Sequence, residues 1–214
     1  MTEIYSNDTI KIIENKKNSL FKIVFAYRNE ILIRSLIKTG LIKGATVSDD
    51  YKSIQFRAIS VKKINKKLSI PEATTLISDL ATQLNYLITV EGYSIIGYML
   101  ENIIVINDNR YIFIGCNMIT EIDENNKILI SCPFNNTDLY MTPELLQIKE
   151  LPTYIHYKTV YYSLGCLAQH ALQIKETEFL MSNSNSNSIK YTKLYWLLSR
   201  CLVKDVESRS ILYI

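Results

Sequence analysis

Four cysteines and two histidines are the side chains of this chain best suited to hold a metal or act as nucleophile and base. Their spacing favours neither role. Cys116, Cys132, Cys166 and Cys201 form no C-x-x-C pair, and their neighbours are apolar or loop-like rather than His-rich, so no zinc site is expected. His156 and His170 bound the apolar stretch HYKTVYYSLGCLAQH and read as packing or surface residues. The densest basic cluster, VKKINKK (Val61–Lys67), reads as a solvated turn. Its competing reading is a phosphate- or RNA-binding patch, which no arginine-rich run or aromatic–basic alternation supports. The stretch GYSIIGYMLENIIVIND (Gly92–Asp108) is loop-like and then strand-like, and its first half offers no group for acid–base chemistry.

The surrounding chain must be able to position such groups. Its 214 residues suffice for one large domain or two small parts sharing an interface. A chain of this length buries roughly 70% of its unfolded surface without staples. Its 24 basic and 21 acidic residues leave a net charge of +3, with no basic arm. Ile, Asn, Tyr and Lys are frequent and Gly scarce, a bias that AT-rich genomes impose, those of many large DNA viruses among them. The polar start MTEIYSND is unlike a signal peptide, and no apolar run approaches a membrane span. Free, mostly buried thiols in a reducing, cytoplasmic setting are the expectation.

Periodicity supplies the elements. TIKIIE and SLFKIVFAY read as strands around the turn NKKN. RNEILIRSLIKTG reads as a helix stopped at Gly40, and LIKGATVS and YKSIQFRAISV as further strands. In SIPEATTLISDLATQLNYLITVEG, Ser69 and Glu72 have capping-box spacing, and Leu76, Leu80, Leu84 and Leu87 mark one face of a long helix. NDNRYIFIG reads as a hairpin arm, Gly115–Tyr140 as irregular, and TPELLQIKE as the start of a short helix. HYKTVYYSLGCLAQHALQ reads as a core helix, SNSNSNS (Ser182–Ser188) as a low-complexity loop, and KYTKLYWLLSRCLVKD as a last amphipathic helix. The pattern predicts an α+β chain in two lobes: residues 1–67, mostly β with one helix, and residues 68–214, mostly helical.

Four segments, in order, carry a resemblance to the protein-kinase fold. LENIIVI (Leu100–Ile106) resembles the end of a catalytic loop, where an Asn precedes a strand. DLYMTPELL (Asp138–Leu146) resembles the end of an activation segment, with Thr142-Pro143-Glu144 in the place of Ala-Pro-Glu. YYSLGCLAQHAL (Tyr161–Leu172) resembles the central helix, and LLSRCLVKDVESRSIL (Leu197–Leu212) the last motif block with its arginine. The likeness covers Leu76 to the end and is weak before it.

The resemblance implies a role for each matching position. Asn102 stands at the metal-binding Asn, Gly97 at the proton-accepting Asp, Ile95 at its His and Met99 at the phosphate lysine. Gly115-Cys116-Asn117 stands at Asp-Phe-Gly, so the magnesium carboxylate is missing. Val160 replaces the Asp that tethers the catalytic loop, and an apolar contact is expected there. Glu144 and its salt-bridge partner Arg209 are kept. No glycine precedes Gly40, so no glycine-rich loop covers phosphates. Lys22 and Glu30, only eight residues apart, stand where a nucleotide lysine and its helix partner would lie.

The implied function is that of a pseudokinase: a catalytically inactive, protein-binding scaffold or regulatory subunit, without cofactor or metal. Its partner would be another protein, an active kinase or a larger assembly, with no strong nucleic-acid signal and no membrane. An atypical nucleotide-binding phosphotransferase using Lys22, Glu30 and Asn102 is the alternative, and an unrelated α+β interaction domain a third. Ser131 and Thr137 lie where active kinases are switched by phosphorylation, but with no active site to control, no switch is expected.

Overall fold

The computed structural model describes residues 1–64, 67–133, 141–172 and 189–211. The chain is α+β. Strands β1 (Thr2–Ser6), β2 (Ile10–Asn15), β3 (Leu20–Phe25), β4 (Thr46–Val47) and β5 (Ser53–Arg57) form an antiparallel sheet in the order β1-β2-β3-β5-β4. Helix α1 (Glu30–Lys38) lies in the connection from β3 to β4. Period-two patterning builds this sheet: Ile10, Ile12, Phe21, Ile23, Phe25, Ile54 and Phe56 point inward, while Lys11, Lys22 and Gln55 are exposed. Gly40 takes φ +72° just past α1, as a helix stop requires.

Two features of this region depart from the expected pattern. The polar N-terminus is a strand, β1, held to β2 through a register shift between Glu3 and Tyr5. Of LIKGATVS only Thr46–Val47 pairs, following Gly44 at φ +61°.

Strand β6 (Val61–Lys63) leaves the first sheet. It pairs with β8 (Ile103–Ile106), which forms a hairpin with β9 (Arg110–Phe113). Between them α2 (Ile70–Tyr86) carries the capping box in full: Ser69 Oγ accepts from the Glu72 amide, and Glu72 accepts from the Ser69 amide at 2.8 Å. Such a cap is worth about 1 kcal/mol. Helix α2 runs into one π-helical turn, Leu87–Glu91, which Gly92 ends at φ +74°.

The segment expected to be irregular contains two strands, β10 (Ile119–Glu121) and β11 (Lys127–Ile130). Strand β10 pairs with β7 (Tyr93–Ile95), and β11 with β12 (Thr153–His156). Helices α3 (Pro143–Leu146), α4 (Thr159–Leu172) and α5 (Lys193–Cys201) complete the fold, with α4 packed against both α2 and α5. SNSNSNS and Thr137 lie outside the described residues.

One apolar core runs from Ile10 and Phe25 of the first sheet through Leu76, Leu80 and Leu84 of α2 to Leu164 of α4 and Leu198 of α5. Each such side chain contributes roughly 1.5–3 kcal/mol on burial. Among the described residues, no helix is long and apolar enough to cross a membrane.

Candidate functional site

Pairing of β7 with β10 lays the loop after Ile95 against the turn Cys116–Met118; the Ile96 amide donates to the Met118 carbonyl at 2.8 Å. Gly97 is buried in this loop and Met99 partly so. Tyr98 is fully buried, with its ring edge-to-face on Phe113 at 5.4 Å. Burial drives its phenol pKa far above the usual value, so it stays neutral. The Tyr98 amide donates to Ser163 Oγ on α4 at 2.8 Å. Helix α4 thus holds this loop through Ser163, which accepts the bond one turn beyond Val160, and Val160, where an apolar contact was expected, is itself fully buried.

Asn102 is buried at the foot of the β8–β9 hairpin. Its amide donates to the Met99 carbonyl and its own carbonyl accepts from Ile114. Its carboxamide contacts Met99 Sδ at 3.7 Å and lies over Gly115. A Cβ added to Gly115 would meet Phe113 Cζ at 2.6 Å, Asn102 Nδ2 at 2.7 Å and Asn102 Cγ at 2.9 Å. Gly115 has an ordinary negative φ, so space rather than backbone conformation makes the demand. The next residue, Cys116, is half-buried, and burial pushes its thiol pKa up.

Two contacts fix α1. Gln83, buried on α2, donates to Ser35 Oγ on α1 at 3.1 Å and to the Phe113 carbonyl on β9 at 3.0 Å, and accepts from the Phe113 amide at 3.0 Å. Arg34 donates to Glu91 at 2.6 Å, and Tyr86 donates to the other Glu91 oxygen at 3.0 Å. Glu30 is taken by Arg28 and Arg34. Lys22 projects from the outer face of the first sheet, beside Ile13 and Gln55, and no bond joins it to Glu30. Lys22, Glu30 and Asn102 are thus not brought together.

A cleft of ≈ 410 Å³ opens beside α1, lined by Arg28, Glu30, Arg34, Tyr93, Cys116 and Ile119. Its two arginines already have carboxylate partners. The first hairpin turn is likewise self-satisfied: Asn7 Oδ1 accepts from the amides of Thr9 at 3.0 Å and Ile10 at 2.8 Å. Amides that cradle an anion must be free to donate; these two are not. Among the described residues, no three His, Cys, Asp or Glu side chains gather as metal ligands.

Away from this region, Arg209 donates from Nη1 and Nη2 to both oxygens of Glu144, at 2.8 and 2.7 Å. Its Nε and Nη2 also reach the carbonyls of Val203 and Lys204. Thr159 also donates to Glu144, and Thr142 caps α3 through the Leu145 amide while contacting Thr159 at 2.7 Å. Burial raises the Glu144 pKa, but Arg209 and Thr159 outweigh it and hold the carboxyl below its ordinary value. Ser131 is exposed, beside Cys132.

Sequence reasoning singled out Glu144, Arg209 and Asn102 but not Arg34, Ser35, Gln83 or Ser163. Gln83 carried one usable signal, an amide next to the leucine stripe of α2. No protein-family model matches the chain, and no curated protein matches it.

Proposed function

We propose that the chain is a protein-kinase-like scaffold without phosphoryl-transfer chemistry, acting by binding another protein. In this reading residues 1–67 are a reduced first lobe and 68–214 the helical second. The observation that carries it is the packing of Gly115 beneath Asn102 and Phe113. The position where the resemblance requires a magnesium carboxylate has no room for a Cβ.

Several arrangements support the kinase likeness. A lysine on the third strand followed by a helix is the kinase arrangement, and Lys22 on β3 before α1 follows it in order if not in orientation. Asn102 directly precedes a β8–β9 hairpin, and Glu144 meets Arg209 across 65 residues of chain.

Phosphoryl transfer needs a carboxylate on magnesium, a base for the hydroxyl and donors for the phosphates. Gly115, Gly97 and Met99 supply none of these. The hydrogen bonds of Asn7 consume amides of the first turn, and Arg28 and Arg34 hold Glu30 away from Lys22. Beside these positions Gln83 joins α1 to α2 and β9 through Ser35 and Phe113. A framework held by such contacts and lacking catalytic groups suits a binding role.

Thermal unfolding with millimolar ATP and magnesium tests the reading. No rise in midpoint is expected. A clear rise that Lys22→Ala abolishes would overturn it and restore the phosphotransferase alternative.

A further inference from the structure

Helix α5 buries Leu194, Leu197, Leu198 and Cys201 and turns a different set of residues outward. Lys193, Trp196 and Arg200 follow one another at i, i+3 and i+7, so they form one stripe along its outer face. All three are exposed, Trp196 at 50%. The ring of Trp196 meets Tyr195 at 5.3 Å, and Tyr195 meets Tyr191 at 6.4 Å; Tyr191 itself is 73% exposed. From Ile189 to Lys204 the chain carries Lys190, Lys193, Arg200 and Lys204 and no acidic residue, whereas the entire chain nets only +3. Among the described residues, Lys193, Arg200 and Lys204 form no ion pair.

We propose that this face docks an acidic amphipathic helix of another protein, with an apolar side chain set on Trp196 and a carboxylate on each of Lys193 and Arg200. This rests on the reading of the chain as a binding protein but not on the emptied nucleotide site. Seven residues of helix rise about 10 Å, the span between two carboxylates two turns apart on a partner helix. Trp and Arg are the residue types on which interface energy concentrates, and unpaired surface cations steer an acidic partner into register. A lipid surface fits less well. Membrane-surface helices present an aliphatic face to the acyl boundary, whereas the leucines of α5 face the core.

Trp196 is the only tryptophan in the chain, so its fluorescence reports directly on this face. The probes are a helical 14-residue peptide with the pattern Glu-x-x-Leu-x-x-x-Glu, its lysine counterpart, phosphatidylserine vesicles and a single-stranded oligothymidylate. The expected result is a saturable emission change with the glutamate peptide alone, weakened by salt. By anisotropy of the labelled peptide, Trp196→Ala should weaken binding at least about 30-fold. Lys193→Glu/Arg200→Glu, with an unchanged thermal midpoint, should lose the glutamate peptide and gain the lysine one. No response to the glutamate peptide, an equal response to the lysine peptide, or a response confined to vesicles or oligothymidylate would overturn the proposal. None of these outcomes bears on nucleotide binding, so the two readings fail separately.

Discussion

Arg209 has no exposed side-chain surface and grips both oxygens of Glu144, a residue 65 positions earlier in the chain. The contact is bidentate, and Nε and Nη2 also donate to backbone carbonyls. Removing Glu144 strands a buried cation. Glu144→Ala is expected to lower unfolding free energy by roughly 3–5 kcal/mol in urea titration. Arg209→Lys should recover less than half of the loss of Arg209→Ala, because an ammonium cannot reproduce the fork.

The same pair predicts a pH dependence. Glu144 is held below its ordinary value in the folded chain, so its contribution is fully present above the unfolded carboxyl pKa of about 4.3. It is lost as pH falls through the depressed folded value. Stability measured from pH 6 down to pH 2 should fall less steeply in Glu144→Gln than in the parent chain. An identical slope would remove Glu144 from the acid response.

Gln83→Leu should be costly although it preserves bulk. It leaves the Phe113 amide and carbonyl and the Ser35 hydroxyl without their partner. An unsatisfied buried group costs about 1–3 kcal/mol, and water entry will meet part of the demand, so a loss of about 2–4 kcal/mol is expected. The urea midpoint should drop with an unchanged slope if α1 stays docked. A shallower slope would mean that α1 separates first.

Gly115→Ala should destabilise by about 1–3 kcal/mol through overpacking against Phe113 and Asn102. Gly115→Asp, the substitution that restores a carboxylate, should be worse and should bring no magnesium-dependent binding of ATP. Thermal midpoints with and without nucleotide decide this.

Thiol reactivity should sort by burial. Cys132 is exposed, whereas burial pushes the Cys201 pKa up to about 12. At pH 8 Cys201 therefore stays protonated and unreactive while the chain is folded. Iodoacetamide with peptide mass spectrometry should find Cys132 modified and Cys201 protected until urea is added. Early labelling of Cys201 would contradict its packing.

Local grammar made much of the fold legible. The leucine stripe of α2, its capping box, the Asp108 turn and the β2–β3 hairpin were readable because each signal lies within a few residues of its consequence. Strands β10 and β11 were not, because their partners β7 and β12 are remote in sequence and three- or four-residue strands carry little periodicity. The Glu144–Arg209 pair was accessible only through a resemblance, not through spacing. Gln83, Arg34 and Ser163 stayed hidden because a polar residue that bridges two elements looks like any other surface residue until both are placed.

Strand β6 follows the first sheet along the chain yet takes its hydrogen bonds from β8. A connector woven into the far side in this way acts as a splint where a jointed molecule would have a pivot. The residues just ahead of it are pinned on both sides, the Ala58 amide by the Ser19 carbonyl and the Ile59 amide by Asn107 Oδ1, and these bonds would have to break before β5 and β8 could swing apart. Among the described residues, the first sheet and the β8–β9 hairpin are therefore expected to keep one mutual posture.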